Sequence, residues 1–472
     1  MPSLFVLFRF CSGVALVFCA TFAACVPSAF AEVPLSEKAQ AELSQFLTPT
    51  DARPPQDALS APGSPLAPVA IDFDQAIARA QTYGAASLLA QTDTQRLVAL
   101  VVQARAASLP TLALFATYNR LDNDRVLVQG DTTRLLTGAN QVSGNATLTL
   151  PLLAPSKWAA WLHAKDNVQV GQLSQQDAKN KAAQAAARAY LLVCAQKRLT
   201  ELSARAHATA QEHLAHAQTR LDGGLGNRLD VARAQAEAFV TLGQFHNAQA
   251  LLRKSQELLG AVLAHDGPLD ALRTPPLAPP LFDLDEAPKA LLIRSDLRLL
   301  QANAWAAARL LRHRFVDWLP TVSGTFAPFF QDPPSLVQPA LGWQARMDVS
   351  WVLYDGGLRY GQTAEREALY HRAKTALWTA SLEARAEVRA ARFAVRSAEQ
   401  AAIAAKAAEQ AATQAAHIAK AAFLGGVFAN LEALDAERRA RDACTQAAQA
   451  QDALVHAKLD LLIALGQFPI PP

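Results

Sequence analysis

The chain has 472 residues, of which 51% are hydrophobic and 18% charged, so its composition excludes an intrinsically disordered protein. Its 44 lysines and arginines nearly balance its 41 aspartates and glutamates, and a net charge of +3 argues against a nucleic-acid-binding protein. Only 7% of the residues are aromatic and much of the apolar fraction is alanine, which indicates long helices packed at close range.

The first 31 residues are typical of an export signal. Arg9 precedes an apolar run from Phe10 to Phe22, and Ala29-Phe30-Ala31 provides a pattern for cleavage after Ala31. A lipoprotein signal is the alternative, because Phe22-Ala23-Ala24-Cys25 is close to a lipobox and would place a lipid on Cys25. An uncleaved anchor helix is disfavoured because the apolar run is short. Each of the first two alternatives predicts an exported protein.

Cleavage after Ala31 leaves two cysteines, Cys194 and Cys444, both within helical stretches. We expect them to be unpaired, partly buried small residues rather than a disulfide. Beyond the signal, no apolar run reaches the roughly 18–20 residues that a membrane-spanning helix requires.

Proline clusters predict an extended N-terminal segment, residues 32–70, and a linker, residues 268–282. The segments that follow them are similar to each other. Leu109-Pro110-Thr111 reappears as Leu319-Pro320-Thr321, and Gly223-Gly224 reappears as Gly425-Gly426. The simplest explanation is two tandem repeats, over residues 71–267 and 283–467, followed by a short tail at residues 468–472.

Each repeat is predicted to contain three helices and a strand pair in the same order. The first helices are expected over Gln75–Ser108 and Ala287–Trp318, and the long helices over Ser156–Leu221 and Arg359–Leu424. After a Gly-Gly turn, the last helices are expected to end near Ala264 and Leu465. At about 1.5 Å per residue the long helices span roughly 100 Å, so two shorter helices can stack end to end beside each of them.

The second long helix carries an apolar seam with a seven-residue repeat. Alanines recur at this spacing from Ala384 to Ala419, companion positions such as Val388 and Val395 are mostly apolar, and Glu409 interrupts the series. A sustained repeat of this kind predicts coiled-coil packing.

Four segments alternate between apolar and polar residues with a period of two: Thr111–Tyr118, Gln141–Leu150, Thr321–Phe330 and Leu341–Trp351. An outer-membrane barrel wall requires this alternation, although a soluble antiparallel sheet shows the same pattern. Export, together with Trp343 and Trp351 near strand ends, favours lipid. Because a closed barrel needs about eight strands and open edges are not tolerated in hydrocarbon, the barrel must be shared between chains.

Taken together and in order, these segments resemble the TolC family of outer-membrane efflux proteins. The resemblance is carried by the residues 71–76, which read Ile-Asp-Phe-Asp-Gln-Ala, by both Leu-Pro-Thr segments, and by the segments Trp351–Gly357 and Gly426–Ala436. The first repeat departs from the pattern with Ala154-Pro155-Ser156, where the second has Tyr354-Asp355-Gly356.

The family resemblance implies a mainly helical fold with a small β part. Each chain would contribute four strands to a trimeric, twelve-stranded barrel in the outer membrane, and its helices to a coiled-coil α-barrel that extends into the periplasm. The partners implied are two further copies of the chain, outer-membrane lipid, a periplasmic adaptor protein and an inner-membrane transporter.

Two acidic residues are candidates for a channel constriction. Glu432 and Asp435 lie three residues apart on one helix face, and in a trimer they would form two rings of carboxylates. This arrangement resembles the acidic constriction of TolC-like channels. The alternative is that both acids simply stabilise the first turn of a helix. Asp230 occupies the matching position in the first repeat, where Arg228 and Arg233 are candidate pairing partners.

The resemblance also implies that the adaptor docks at the two turns, through Gly223, Gly224, Leu229, Gly425, Gly426, Asn430 and Leu431. The glycines suit left-handed geometry at helix ends. The residues predicted to line the barrel lumen lie on the polar strand face and are Gln141, Asn145, Gln344, Arg346 and Asp348. The last two are expected to form a charge ladder along the lumen, and a simple exposed i,i+2 pair is the alternative.

The sequence shows no nucleophile elbow, phosphate loop or paired-carboxylate pocket, so we predict that the protein is not an enzyme and has no cofactor. His213 and His216 are expected on a solvated helix face rather than in a zinc site. The predicted function is a trimeric outer-membrane exit duct of a tripartite efflux or type I secretion system, passively conducting cargo from an inner-membrane pump. A periplasmic coiled-coil adaptor or scaffold protein is the alternative, disfavoured because the chain has two long hairpins rather than one.

Overall fold

The structure is a computed structural model that describes residues 67–129, 132–224, 226–277, 293–334, 338–424 and 430–469. All of these belong to one compact unit, Ala52–Pro472. The predicted export signal, Cys25, the N-terminal segment up to residue 66, and the glycines Gly425 and Gly426 lie outside the described residues.

The elements of the first repeat are β1 (Val69–Ile71), α1 (Phe73–Tyr83), α2 (Ala85–Ala106), β2 (Thr111–Arg120), β3 (Arg125–Gln129), β4 (Thr132–Thr137), β5 (Asn140–Leu153), α3 (Pro155–Asp222) and α4 (Arg228–Val262). The later elements are β6 (Leu269–Ala271), α5 (Ser295–Arg312), a 3-10 turn (His313–Trp318), β7 (Thr321–Asp332), β8 (Leu341–Ser350), α6 (Leu358–Leu424) and α7 (Asn430–Ala464).

Both long helices are confirmed to within one residue at the ends predicted for them. Helix α3 has 68 residues and α6 has 67, which corresponds to roughly 100 Å each. Helices α2 and α4 both pack along α3, and α5 and α7 both pack along α6, so the shorter helices do stack beside the long ones. Helix α3 also contacts α5 and α7, and in this way it joins the two repeats.

The predicted first helices are both wrong in detail. The first is broken at Gly84, whose ψ of 138° is extended, and a Cβ at this position would meet the Ala80 carbonyl oxygen. The second begins only at Ser295, because Ile293 and Arg294 are not helical, and it ends in the 3-10 turn rather than as α-helix. The residues 287–292 lie outside the described part of the chain.

The seven-residue seam of α6 is confirmed by burial. Ala384, Val388, Val395, Ala416 and Ala419 are buried, and the intervening seam positions, including Glu409, are half-buried between exposed neighbours. This is the pattern that coiled-coil packing against α7 and α5 requires. Within the described residues, no helix is long and apolar enough to cross a membrane.

The main hydrophobic core lies about halfway along α3, around the fully buried Tyr190. The ring of Phe73 packs edge-on against Tyr190 with 5.3 Å between centroids, and the Tyr190 hydroxyl donates a hydrogen bond to the Arg273 carbonyl oxygen at 2.9 Å. Beside this core, β1 and β6 pair in parallel, which the sequence analysis missed. Cys194 is buried in the same core and Cys444 is half-buried, and both are free thiols.

The four predicted strands form one antiparallel sheet in the order β2-β5-β7-β8. Residues directly opposite one another in such a sheet point to the same face. Leu112 is opposite Leu148, Leu148 is opposite Phe326, and Phe326 is opposite Ala345, so a single face continues across all four strands. The hairpin β3–β4 between β2 and β5 was not predicted.

Candidate functional site

One face of the four-stranded sheet is apolar and exposed in the single chain. Leu341 and Trp343 are 72% and 68% exposed, and further exposed apolar side chains on this face are Leu112, Leu114, Tyr118, Phe326, Phe330, Met347 and Val349. Their pairing places them side by side across the strands. An apolar surface of this extent is rare on a soluble monomer and marks a contact with lipid or another protein.

The opposite face is polar and holds every residue predicted for the barrel lumen. Gln141 and Asn145 lie on it in β5, and Gln344, Arg346 and Asp348 lie on it in β8. Arg346 and Asp348 form an ion pair along β8, with 2.9 Å between Arg346 Nε and Asp348 Oδ2. The sheet therefore has the two unlike faces that the alternation predicts.

Two phenylalanines break the polar face. Phe115 is exposed there, and Phe329 places its ring where a Cβ of Gly342 would lie. Phe329 is directly opposite both Asn145 and Gly342, so its ring packs along the sheet over a residue without a side chain.

The outermost strands of this sheet each have one partner strand within the described residues. Strand β2 pairs with β5, and β8 pairs with β7. Their outer edges present a row of backbone N–H and C=O groups that another strand can pair with. Because successive strands alternate in direction, β8 of one chain would meet β2 of the next in antiparallel orientation.

The segment between β8 and α6 is fixed by a compact set of polar contacts. The Asp355 carboxylate accepts hydrogen bonds from the backbone N–H of Gly357 at 3.1 Å and from Arg359 Nε at 2.6 Å. The Arg359 guanidinium stacks over the ring of Trp318 at 4.5 Å and also donates to the Val352 carbonyl oxygen. The bond from Arg359 lowers the pKa of Asp355.

These contacts explain the second-repeat segment Tyr354-Asp355-Gly356-Gly357. Gly356 and Gly357 have positive φ values of 69° and 95°, which glycine adopts without strain. Asp355 then caps the start of α6. The first repeat starts its long helix in a different way. Pro155 stands at the first position of α3, where a backbone N–H would have no partner within the helix.

At the far end of the helices, the turn between α3 and α4 matches the prediction only in part. Gly224 has a φ of 74° and is left-handed as expected, whereas Gly223 has a φ of −78°, so that prediction is wrong. Gly223 still continues the helical pattern, since its N–H donates to the Thr219 carbonyl oxygen. The Asn227 side chain caps α4 by accepting from the N–H of Leu229, whose own side chain is exposed.

Asp230 lies in the first turn of α4 and Glu432 in the first turn of α7, with Asp435 about one turn further along α7. Asp230 is half-buried, and among the described contacts of the single chain neither of its candidate partners, Arg228 and Arg233, forms an ion pair with it. Both arginines are exposed, where an ion pair gains little over solvation. Glu432 and Asp435 are both exposed, and Asp435 Oδ2 lies 2.8 Å from Arg439 Nη2. Leu431 is exposed beside them.

A set of ion pairs joins the α3–α4 hairpin to α7 near this end. Glu237 on α4 contacts Arg441 at 2.5 Å and Arg438 at 3.4 Å. His213 on α3 has its Nε2 2.6 Å from Glu437 Oε1. The sequence analysis did not find these contacts, because their members are separated by more than 200 residues.

The prediction that His213 lies on a solvated face is wrong. Its side chain is only 8% exposed, since α7 covers it and Glu437 satisfies its ring nitrogen. His216, one turn away, is exposed as expected. His213 and Glu437 line a cleft of about 460 Å³ between the two hairpins.

A profile of the family described as "Outer membrane efflux protein" matches residues 78–265 and 289–467, well over half of the chain. No protein with a curated description matches the sequence.

Solved structures of bacterial outer-membrane channels share this fold. The outer membrane protein VceC from Vibrio cholerae aligns with a TM-score of 0.68 and 18% identity, covering 84% of this chain and 96% of that one. The CmeC outer membrane channel of Campylobacter jejuni aligns with a TM-score of 0.70 and 14% identity, covering 84% and 85%. The open-state MtrE outer membrane channel of Neisseria gonorrhoeae aligns with a TM-score of 0.66 and 18% identity, covering 84% and 88%.

Proposed function

This chain belongs to the outer membrane efflux protein family, and on that premise we propose that it is the exit duct of a tripartite efflux or type I secretion system. Three copies would close a twelve-stranded barrel in the outer membrane and continue it as a helical tunnel through the periplasm. The duct conducts cargo passively, because the energy comes from an inner-membrane pump that meets the duct through an adaptor.

The observation that carries this proposal is the open sheet with one exposed apolar face. A sheet that is apolar on one side, polar on the other and unpaired at both edges is incomplete as a monomer. Antiparallel pairing of β8 with β2 of the next chain satisfies both edges. It also places the apolar face toward lipid and the polar face, with Arg346 and Asp348, toward the lumen.

Exposed apolar stripes on helices α6 and α4 support the same assembly. Helix α6 carries an exposed apolar stripe along one side, formed by Trp378, Leu382, Phe393, Ile403 and Ile418. Helix α4 carries another, formed by Leu229, Val240, Leu251 and Leu258. Helix α6 packs mainly on α7 and α5, and α4 mainly on α3, so these stripes are left for neighbouring copies of the chain.

In the assembled duct, Glu432, Asp435 and Asp230 are proposed to form rings of carboxylates at the narrow end. The exposed turn residues Gly223, Gly224, Leu229 and Leu431, together with Asn430, Gly425 and Gly426, are proposed to receive the adaptor. The support is the position of those among these residues that the structure describes, at the end of the hairpins farthest from the sheet.

Lysine substitutions on the two faces of β8 test the proposal with a matched control. Met347 and Gln344 are both exposed in the single chain but lie on opposite faces of the sheet. A lysine near the middle of the lipid face costs about 2–4 kcal/mol per chain, whereas one in a wet lumen costs little.

We expect Met347→Lys to deplete the folded trimer from the outer-membrane fraction and Gln344→Lys to leave it at the wild-type level. Trimer is measured as the heat-sensitive oligomer band of each membrane fraction. Equal trimer levels for the two variants would contradict the proposed orientation of the sheet.

A further inference from the structure

A pair of histidines lies beside the sheet, where the chain passes between helix and strand in each repeat. His163 is on the third turn of α3, shortly after β5, and His313 begins the 3-10 turn that leads to β7. Their ring centroids are 5.1 Å apart. They line a cavity of about 390 Å³ whose apolar wall includes Leu97, Leu100 and Leu310.

Two carboxylates and two arginines surround the imidazoles. Asp166 Oδ1 lies 2.6 Å from Arg309 Nη1, and Asp317 Oδ2 lies 2.6 Å from Arg366 Nη1. Asp166 is on α3, Arg309 on α5, Asp317 in the 3-10 turn and Arg366 on α6, and the residues of α2 that line the cavity are leucines. Each carboxylate is therefore already paired with an arginine, and neither imidazole has a carboxylate that pairs with it alone.

Among the residues that the structure describes, two buried polar atoms of the cluster have no hydrogen-bond partner. They are Asp166 Oδ2, on a residue only 8% exposed, and His313 Nδ1. His163 Nδ1 lies 4.0 Å from Asp166 Oδ2, which is too far for a hydrogen bond. Asp166 Oδ2 therefore gives His163 no hydrogen bond that would stabilise a charged ring.

The surroundings of His163 disfavour the charged form of its imidazole. Burial lowers the pKa of His163 below its ordinary value of 6.5, and His313, Arg366 and Arg309 lower it further, while Asp166 opposes them. The unfolded chain therefore binds more protons than the folded chain as the pH falls below about 6.5. Acid consequently favours any local opening that returns His163 to water.

We propose that His163 and His313 form a proton-sensitive joint, in which acid, by charging His163 beside the His313 ring, separates α3 from the 3-10 turn just below the sheet. A charged His163 ring faces the His313 ring and the arginines Arg366 and Arg309. Asp166 is 4.0 Å away and already paired with Arg309, so it does not offset this repulsion, and the contact loosens. The joint lies within one chain, so the inference does not depend on the proposed trimer or its cargo.

The test is hydrogen–deuterium exchange of the purified full-length protein in detergent at pH 7.5 and pH 5.0, corrected for the intrinsic pH dependence of exchange. The readout is the protection of peptides covering residues 305–318. We expect wild type to lose about tenfold in protection at pH 5.0, as a locally opening segment does. The variant with both His163→Asn and His313→Asn is expected to lose less than about twofold.

His216→Asn is the matched control, because His216 is exposed on the same helix α3 and should respond to acid as wild type does. The single variant His163→Gln serves if the double variant fails to fold, and it too should show the reduced response. An unchanged protection of wild type at pH 5.0, or an equal loss in the histidine variants and wild type, would overturn the proposal.

Discussion

The ion pairs between Glu237 and α7 allow a test of how the two helical hairpins are held together at the end of the molecule far from the sheet. Replacing Glu237 by glutamine keeps its shape but removes the charge that holds Arg441 and Arg438. If these pairs keep the two hairpins together at the narrow end of the duct, then Glu237→Gln should favour its open state.

The expected magnitude follows from the exposure of the partners. The side chains of Glu237 and Arg441 are 20% and 23% exposed, so their hydrogen-bonded charge pair contributes about 1.5–3 kcal/mol. Arg438 is 58% exposed, and solvent screening reduces its contribution to at most about 1 kcal/mol. Because glutamine can still accept one hydrogen bond, the net loss is about 2 kcal/mol, which shifts a two-state equilibrium about 30-fold.

Single-channel recording in planar bilayers measures this shift as the fraction of time that each channel conducts. Glu257→Gln is the matched control, since Glu257 lies on the same helix and pairs with Arg253 at 3.3 Å on the exposed surface. We expect a large rise in the conducting fraction for Glu237→Gln and none for Glu257→Gln. The same conducting fraction in both variants would refute the role given to the inter-hairpin pairs.

Other perturbations have equally direct outcomes. Combining Glu432→Gln with Asp435→Asn should raise single-channel conductance if these exposed acids narrow the path, and unchanged conductance would remove them from that role. Leu259→Ala should lower the free energy of unfolding by about 2–5 kcal/mol, because Leu259 is fully buried in the core around Tyr190; a denaturant midpoint equal to wild type would contradict this. Phe393→Asp places a charge in the apolar stripe of α6 and should reduce the trimer seen by native mass spectrometry, whereas an intact trimer would exclude that stripe from the interface.

Much of the architecture could be predicted from the sequence because its signals are long and periodic. The seam of α6 repeats over more than 30 residues, and each strand of the sheet alternates over about ten, so both patterns exceed what chance alternation in an alanine-rich chain produces. Four strands are too few to close a barrel, and this count alone indicated that the chain is incomplete as a monomer.

The features that sequence reasoning missed are short or depend on distant partners. Strands β1 and β6 have three residues each, too few to show a period. The break at Gly84 depends on one extended residue within an otherwise helical stretch. Burial of His213 could not be foreseen, because the helix that covers it belongs to the other repeat and brings Glu437 from 224 residues away.

The central claim, that three copies of this chain form a water-filled pore through the outer membrane, is tested most directly by reconstitution. The purified protein, with its mass measured in detergent, is added to a planar lipid bilayer and the current is recorded. The account predicts a particle of three chains that inserts and conducts ions in steps of uniform size. A protein that stays monomeric, or a trimer that inserts and never conducts, would contradict it.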